Sequence, residues 1–170
     1  MEKEGREIRV ITERPLEPSV EIIRRSFGTV AEEKGITEQN APRFTAFITA
    51  ERLEETRRNN SVFWGLFVSG KQVGFVAVEK EPEGKYWMKR LAVLPEFRHG
   101  GSGKALVDAA ISYTRSQGEK KLYIAVAGDR GVLNDWYLAM GFRESSVQKF
   151  PHLPFSVAFM ELDIRRQHDY

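Results

Sequence analysis

Arg98-His99-Gly100-Gly101-Ser102-Gly103-Lys104 is the stretch around which this chain is organised. An apolar segment, residues 87–94, precedes it, and a helical pattern, residues 104–117, follows. Strand, glycine-rich loop and helix in that order is a recurring way to hold an anion. Glycine lets backbone N–H groups come close to a ligand, and the first turn of a helix carries unpaired N–H groups and a partial positive charge. Arg98 at the mouth and Lys104 just inside the helix add formal charge of the same sign. An anionic group is the expected ligand.

Spacing narrows the choice. A Walker A loop needs glycine where Arg98 stands and serine or threonine where Ala105 stands. A dinucleotide-binding turn needs a third glycine at the position of Leu106. What remains is Arg98-x-x-Gly101-x-Gly103, preceded by Arg90-Leu91-Ala92-Val93-Leu94-Pro95-Glu96-Phe97. A second signal lies downstream, Asn134-Asp135-Trp136-Tyr137-Leu138-Ala139-Met140-Gly141-Phe142, with one helix and one strand between the two. Together they resemble the Gcn5-related N-acetyltransferases, the GNAT family, in which an Arg-x-x-Gly-x-Gly loop binds the pyrophosphate of coenzyme A. An Asn-x-x-Tyr-x-x-x-Gly-Phe segment follows that loop in the family. The likeness covers about residues 62–164, and two N-terminal helices agree with the family's order of elements.

Composition sets the outer bounds. At 170 residues, one domain is the simplest expectation, long enough to bury a real core. Hydrophobic residues at 41% and charged ones at 29% argue against a disordered chain. A formal net charge of +2, with no basic block, gives no reason to expect a nucleic-acid partner. The chain has no cysteine, which excludes a disulfide, a thiol nucleophile or a thiolate metal site, and no metal is expected. The charged start, Met1 to Glu7, lacks the apolar stretch of a signal peptide, and no run approaches the length of a membrane span. The cytoplasm is therefore the default compartment.

Periodicity supplies the order of elements. Residues 9–11 read as a short opening strand. Val20, Ile23, Phe27 and Val30 recur at helical spacing, so a helix is expected over 19–34, capped by Ser19 and stopped by Gly35. A second helix is expected to restart at Asn40-Ala41-Pro42, burying Phe44, Phe47, Ile48 and Leu53. Residues 61–68 and 72–79, joined by Ser69-Gly70-Lys71, read as a hairpin, and residues 86–94 as a third antiparallel strand. After the loop come a helix ended by Gly118 and an apolar strand, 122–127, expected to be covered on both faces. A helix over 129–140, strands over 142–150 and 154–164, and a polar tail from 165 complete the chain. The expected class is α/β with a mixed sheet, mostly antiparallel N-terminal strands and a central βαβ crossover carrying the loop. The resemblance implies a GNAT-like fold, with acceptor-side helices at about 19–58 and a coenzyme A-binding core at about 86–142.

The resemblance also implies the chemistry. An amine attacks the thioester carbonyl of acetyl-CoA, a tetrahedral oxyanion forms, and the thiolate leaves. Tyr137 takes the place of the family's proton donor; a phenol of ordinary pKa about 10 stays protonated at neutral pH. Asn134 lies one turn earlier on the same helix face, placed to bond the pantetheine arm or the tyrosine. Backbone groups of Leu91, Ala92 and Val93 map to those that bind pantetheine and polarise the carbonyl, and oxyanion donors contribute heavily to such reactions. Arg98, His99, Gly100, Gly101, Ser102, Gly103 and Lys104 map to the pyrophosphate contacts.

The general base is left open. The strand before the loop has no carboxylate at Tyr86, Trp87 or Met88, where some family members carry a glutamate. Glu79, on the preceding strand, is one candidate. His152, held between Pro151 and Pro154 in the connection of the last two strands, is another, titrating near neutrality. Two functional readings follow. One is an acetyl-CoA-dependent N-acetyltransferase acting on a primary amine of a small molecule or peptide. The other is a catalytically weak acyl-CoA-binding sensing module, which the missing strand carboxylate favours. Dimers are common in the family, so a homodimer is one expected assembly.

Overall fold

A computed structural model describes residues 5–13 and 15–166. Residues 1–4 of the charged start and 167–170 of the polar tail lie outside the described residues. The chain runs β1 (Arg6–Val10), α1 (Glu17–Lys34), α2 (Ala50–Arg58), β2 (Ser61–Val68), β3 (Lys71–Lys80), β4 (Tyr86–Val93), α3 (Ser102–Ser116), β5 (Lys121–Ala127), α4 (Val132–Ala139), β6 (Arg143–Lys149) and β7 (Ser156–Asp163). The strands form a 7-stranded sheet in the order β1-β2-β3-β4-β5-β7-β6. Every neighbour is antiparallel except β4 and β5, which the α3 crossover makes parallel.

Two irregularities shape the middle of this sheet. Between β4 and β5 the only residues in register are Trp87 and Tyr123, so beyond that point the strands part. In β4 the pairing with β3 passes from Ala77↔Lys89 to Phe75↔Ala92, which sets Arg90 and Leu91 against the single residue Val76. Arg90 takes a left-handed φ of 57° at this bulge. Bulges re-aim side chains and end pairing, and they concentrate next to functional sites.

Both faces of β2–β4 are covered. On one, α3 packs closely enough that a Cβ at Gly74 would stand 2.9 Å from Leu106, and Tyr113 meets the rings of Trp64 and Tyr86. On the other, α1 crosses β3 and β4, and α2 brings Arg57 over Phe63, which meets Phe75 edge-on. This second face continues onto β5 and β7 as Trp87, Tyr123 and Phe159, whose rings touch. There β5 alternates, with Leu122, Ile124 and Val126 buried and Ala125 exposed. The expectation of a strand covered on both faces is corrected: its apolar residues on this side line an open surface.

The N-terminal half departs from expectation in its helix starts. Ser19 does not cap α1, which begins at Glu17; the serine lies inside the helix, buried, and accepts a bond from Gln72 Nε2 at 3.0 Å. The second helix begins at Ala50 rather than near Pro42. Thr37 and Asn40 bond each other reciprocally, and Phe44 and Ile48 stay extended around a short 3₁₀ turn at Thr45–Phe47. Thr49 then caps α2, its Oγ1 accepting from the Arg52 amide at 3.2 Å. The extended backbone lets Phe44 meet Phe27, Phe47 and Phe155, which joins the segment before α2 to the β6–β7 connection. α4 is also shorter than expected, because Gly128 and Gly131 with φ of 92° and 143° make a turn ahead of it.

Candidate active site

The loop after β4 is a row of open donors. Among the described residues, no amide from His99 to Lys104 donates to another backbone group; the first to do so is Ala105, to the Gly101 carbonyl at 3.0 Å. His99, Gly100, Gly101 and Lys104 are exposed, Gly103 half-buried and Ser102 buried, so most of these donors are open to solvent or a ligand. His99 (φ 65°) and Gly101 (φ 82°) are left-handed, which turns successive amides toward one side. The carbonyls go the other way: Arg6 donates from Nη1 to Gly100 O at 3.1 Å and from Nη2 to Gly101 O at 2.6 Å. β1 thereby holds the loop from behind, an anchor that sequence reading missed. Gly103 serves a different need, since a Cβ there would stand 3.1 Å from Trp136 and push α3 off α4.

Two cations behave otherwise than expected. The Arg98 side chain turns inward, donating from Nε to Val93 O at 3.3 Å and from Nη2 to Ser26 Oγ at 3.1 Å. It ties the loop to α1 and presents no guanidinium at the mouth. Lys104 pairs along the helix with Asp108 at 3.1 Å, in an exposed position worth little to stability. His99 contributes its backbone, and its ring has no described partner. Arg25 and Glu96 clamp α1 to the loop approach at 3.0 Å.

Tyr137 sits at the base of α4, 7% exposed, with its ring edge-on to Trp136 and Phe142. Burial raises its phenol above the ordinary value near 10, so the hydroxyl keeps its proton at every physiological pH. Asn134, buried one turn earlier, donates from Nδ2 to Gly128 O at 3.1 Å. That bond fastens the β5–α4 turn, while the side-chain oxygen is not used by it. On β4, Ala92 and Val93 are buried and Leu91 packs against the core, all beyond the point where β5 has left the strand.

The two candidate bases differ in freedom. Glu79 accepts from Ser61 Oγ at 2.7 Å on one oxygen and from Lys89 Nζ at 2.7 Å on the other. Burial works to raise its pKa, but the bonds from Lys89 and Ser61 outweigh it and hold the carboxyl below its ordinary value. Such a carboxylate is ionised but weakly basic. Glu79→Gln is expected to lower stability at neutral pH by about 1–2 kcal/mol, the scale of a lost charge-assisted bond. A carboxyl held low in the folded state stabilises above its unfolded pKa of about 4.3, and that contribution goes as pH falls through the folded value. Urea titrations of both proteins should therefore differ fully well above about pH 4.3 and converge only as pH falls below the depressed folded-state value. His152 is exposed on the β6–β7 connection with its ring 5.8 Å from Phe150.

Comparison with known proteins agrees with this geometry. The model of the acetyltransferase (GNAT) family matches residues 22–142. The chain belongs to that family. An uncharacterized N-acetyltransferase of Methanocaldococcus jannaschii is 31% identical over 101 residues, 55% of this chain and 44% of the relative. The probable N-acetyltransferase camello of Xenopus laevis is 27% identical over 114 residues, 63% of this chain and 52% of the relative. The chain thus aligns with about half the length of these curated relatives. Among solved structures, the ribosomal-protein-S18-alanine N-acetyltransferase of Escherichia coli superposes with TM-score 0.74 at 16% identity, covering 95% of each chain. The PaiA N-acetyltransferase of Thermoplasma acidophilum, solved with coenzyme A, gives 0.70 at 22% identity, covering 93% of this chain and 98% of the other. These likenesses show the GNAT fold.

On this GNAT frame the site has two sides. The loop and Leu91–Val93 follow the one register pair of β4 with β5, and Tyr137 packs on Trp136, the ring that faces Gly103. The open aromatic face of Trp87, Tyr123 and Phe159 is the other side, bordered by Phe150 and His152. Among the described residues, no group of three or more His, Asp or Glu side chains is placed to hold a metal. No helix among the described residues is long and apolar enough to cross a membrane.

Proposed function

We propose that the chain is an acetyl-CoA-dependent N-acetyltransferase that moves an acetyl group to a primary amine of a small molecule or peptide. The observation that carries this reading is the unpartnered run of amides from His99 to Lys104, set where β4 and β5 part. It suits a pyrophosphate, with the pantetheine arm entering between the strands along Leu91–Val93. The chain works as one unit, with residues 17–58 on the acceptor side and 86–142 holding the cosubstrate.

The amine nitrogen forms a bond to the thioester carbon, and the carbonyl electrons move to oxygen, where β4 amides receive the charge. The intermediate then collapses as the carbon–sulfur bond breaks. The sulfur leaves toward the Tyr137 hydroxyl, and the amine proton goes to a base. With both Glu79 oxygens engaged, we assign the base to His152 at the groove rim, acting directly or through water.

Thiol release from acetyl-CoA across a panel of primary amines, with mass spectrometry of the products, tests the reading. Amine-dependent release with a mass gain of one acetyl group is expected, and release that ignores the amine would overturn it. In the same assay His152→Ala should cut kcat/KM about 10-fold to 100-fold on the high-pH plateau, where a base is free to accept the amine proton, and flatten the rise of the profile toward that plateau. An unchanged profile would remove His152 from the mechanism. Binding of coenzyme A without transfer to any amine would favour the weak sensing module, to which the engaged Glu79 also points.

A further inference from the structure

Arg90 is a charged side chain that the fold leaves without a partner. At the β4 bulge its Nε and Nη1 are buried with no hydrogen-bond acceptor among the described residues. A buried guanidinium ordinarily finds a carboxylate, because desolvating an unpaired charge is expensive. The nearest carboxylate by its effect is Glu79, yet Glu79 is held by Ser61 and Lys89, and Lys89 also takes Glu81 at 2.6 Å. The other charge acting on Arg90 is the Arg52 guanidinium of α2, which is repulsive. Arg52 in turn feels Arg43 beside it, and it donates from Nη2 to the Arg43 carbonyl at 3.2 Å. Burial above all, and then this neighbour, work against charge on Arg90. Arg43, Arg52, Arg90 and Lys89 therefore stand against three carboxylates, Glu79 and Glu81, which Lys89 engages, and Glu55, which acts on Arg52. The local balance lacks an anion.

The place of this deficit matters. Arg90 is two residues before Ala92, on the strand whose edge would hold the thioester, and α2, carrying Arg52, covers β2, on the far side of β3 from that strand. Resting on the acetyltransferase reading above, we propose that Arg90, assisted by Arg52, is the receptor for a carboxylate on the acceptor. The acceptor is then an amine that carries a carboxylate a few bonds from its nitrogen. The carboxylate completes the hydrogen bonds of Arg90, and the open aromatic face of Trp87, Tyr123 and Phe159 takes the rest of the molecule. Free amino acids and peptides with an acidic residue next to the N-terminus share this chemistry.

The test uses matched pairs that differ only in charge. Free amino acids are set against their carboxamides, and Ala-Glu-amide against Ala-Gln-amide, with thermal melting at saturating coenzyme A and acetyl transfer as readouts. The carboxylate member of one pair type is expected to bind or react about 10-fold to 100-fold better, the range of a charge-assisted bond, and which pair responds identifies the source. Arg90→Met should collapse that ratio toward one, Arg90→Lys should keep part of it, and Arg52→Met should reduce it if the first variant fails to fold. Because Arg90 satisfies nothing in the fold, Arg90→Met without ligand should melt no lower than the parent chain. Equal response of both members, or a ratio that survives Arg90→Met, would overturn the proposal. So would a lowered melting temperature with unchanged discrimination, which would make Arg90 a structural residue. If a carboxylate shift is lost in Arg90→Met while no amine is acetylated, the receptor stands and the transfer reading fails. Transfer without charge preference would leave the transfer reading standing and overturn the receptor.

Discussion

Gly101→Glu is expected to abolish the thermal stabilisation that acetyl-CoA and coenzyme A give to the parent chain, with ATP stabilising neither protein. A ligand at about one hundred times its Kd adds roughly 2.7 kcal/mol, which for a domain of this size is a rise of roughly 5–10 °C. Two effects remove it in the variant. Gly101 has φ 82° and ψ 8° at the cap of α3, a left-handed conformation that costs a residue with a Cβ about 1–2 kcal/mol. The new carboxylate also stands among the amides from His99 to Lys104, where it occupies their donors and repels a pyrophosphate. The first effect lowers the melting temperature without ligand by a few degrees, and the second removes the response to ligand. Gly101→Asn separates them, since asparagine tolerates the left-handed region and adds no charge. It should retain most of the ligand shift. A shift that persists in Gly101→Glu, or one produced by ATP alone, would mean that the loop does not hold coenzyme A.

What could be read from the sequence was what depends on local order. Strand, glycines and helix in succession dictate where the free amides lie, whatever surrounds them, and Tyr137 was singled out by the resemblance of its segment to the family's. What stayed hidden depends on partners far along the chain. Arg98 looked like a ligand contact, but its side chain finds Ser26, 72 positions earlier, and satisfies α1 instead. The Arg6 anchor spans 94 positions and carries no motif. The start of α2 was misplaced because an Asn-Ala-Pro segment resembles a helix start, whereas the reciprocal bonds of Thr37 and Asn40 close a turn there. The open face of β5 was missed for a related reason. Leu122 to Ala127 is nearly all apolar, and such a run looks buried on both sides, whereas Tyr123 is half-buried and Ala125 exposed on the face shared with Trp87 and Phe159. Arg90 gave no signal at all, since an arginine within a strand is ordinary until its φ and its missing acceptor are known.

Tyr137→Phe should lower kcat about 100-fold or more while leaving the coenzyme A melting shift within about twofold in Kd, as expected of a group that acts only as the sulfur leaves. The ring packs between Trp136 and Phe142, and phenylalanine keeps those contacts, so the variant should melt at or slightly above the parent temperature. The raised pKa defines what the hydroxyl does. A thiol ionises near 8.5 and an unperturbed phenol near 10, and burial moves Tyr137 further from the thiol. Complete transfer of the phenolic proton to the thiolate is therefore uphill by more than about 2 kcal/mol. The hydroxyl's contribution is a hydrogen bond that strengthens as negative charge gathers on sulfur, while the amine proton goes to the base and the released thiolate takes its proton from solvent. This assignment makes a distinctive pH prediction. The kcat of the parent chain should show no fall at high pH from ionisation of Tyr137, because the buried phenol stays protonated throughout the accessible range. A descending limb near pH 10 that Tyr137→Phe removes would show a free phenol acid instead. An unchanged kcat in the variant would leave Tyr137 as a packing residue and move the stabilisation of the leaving sulfur elsewhere.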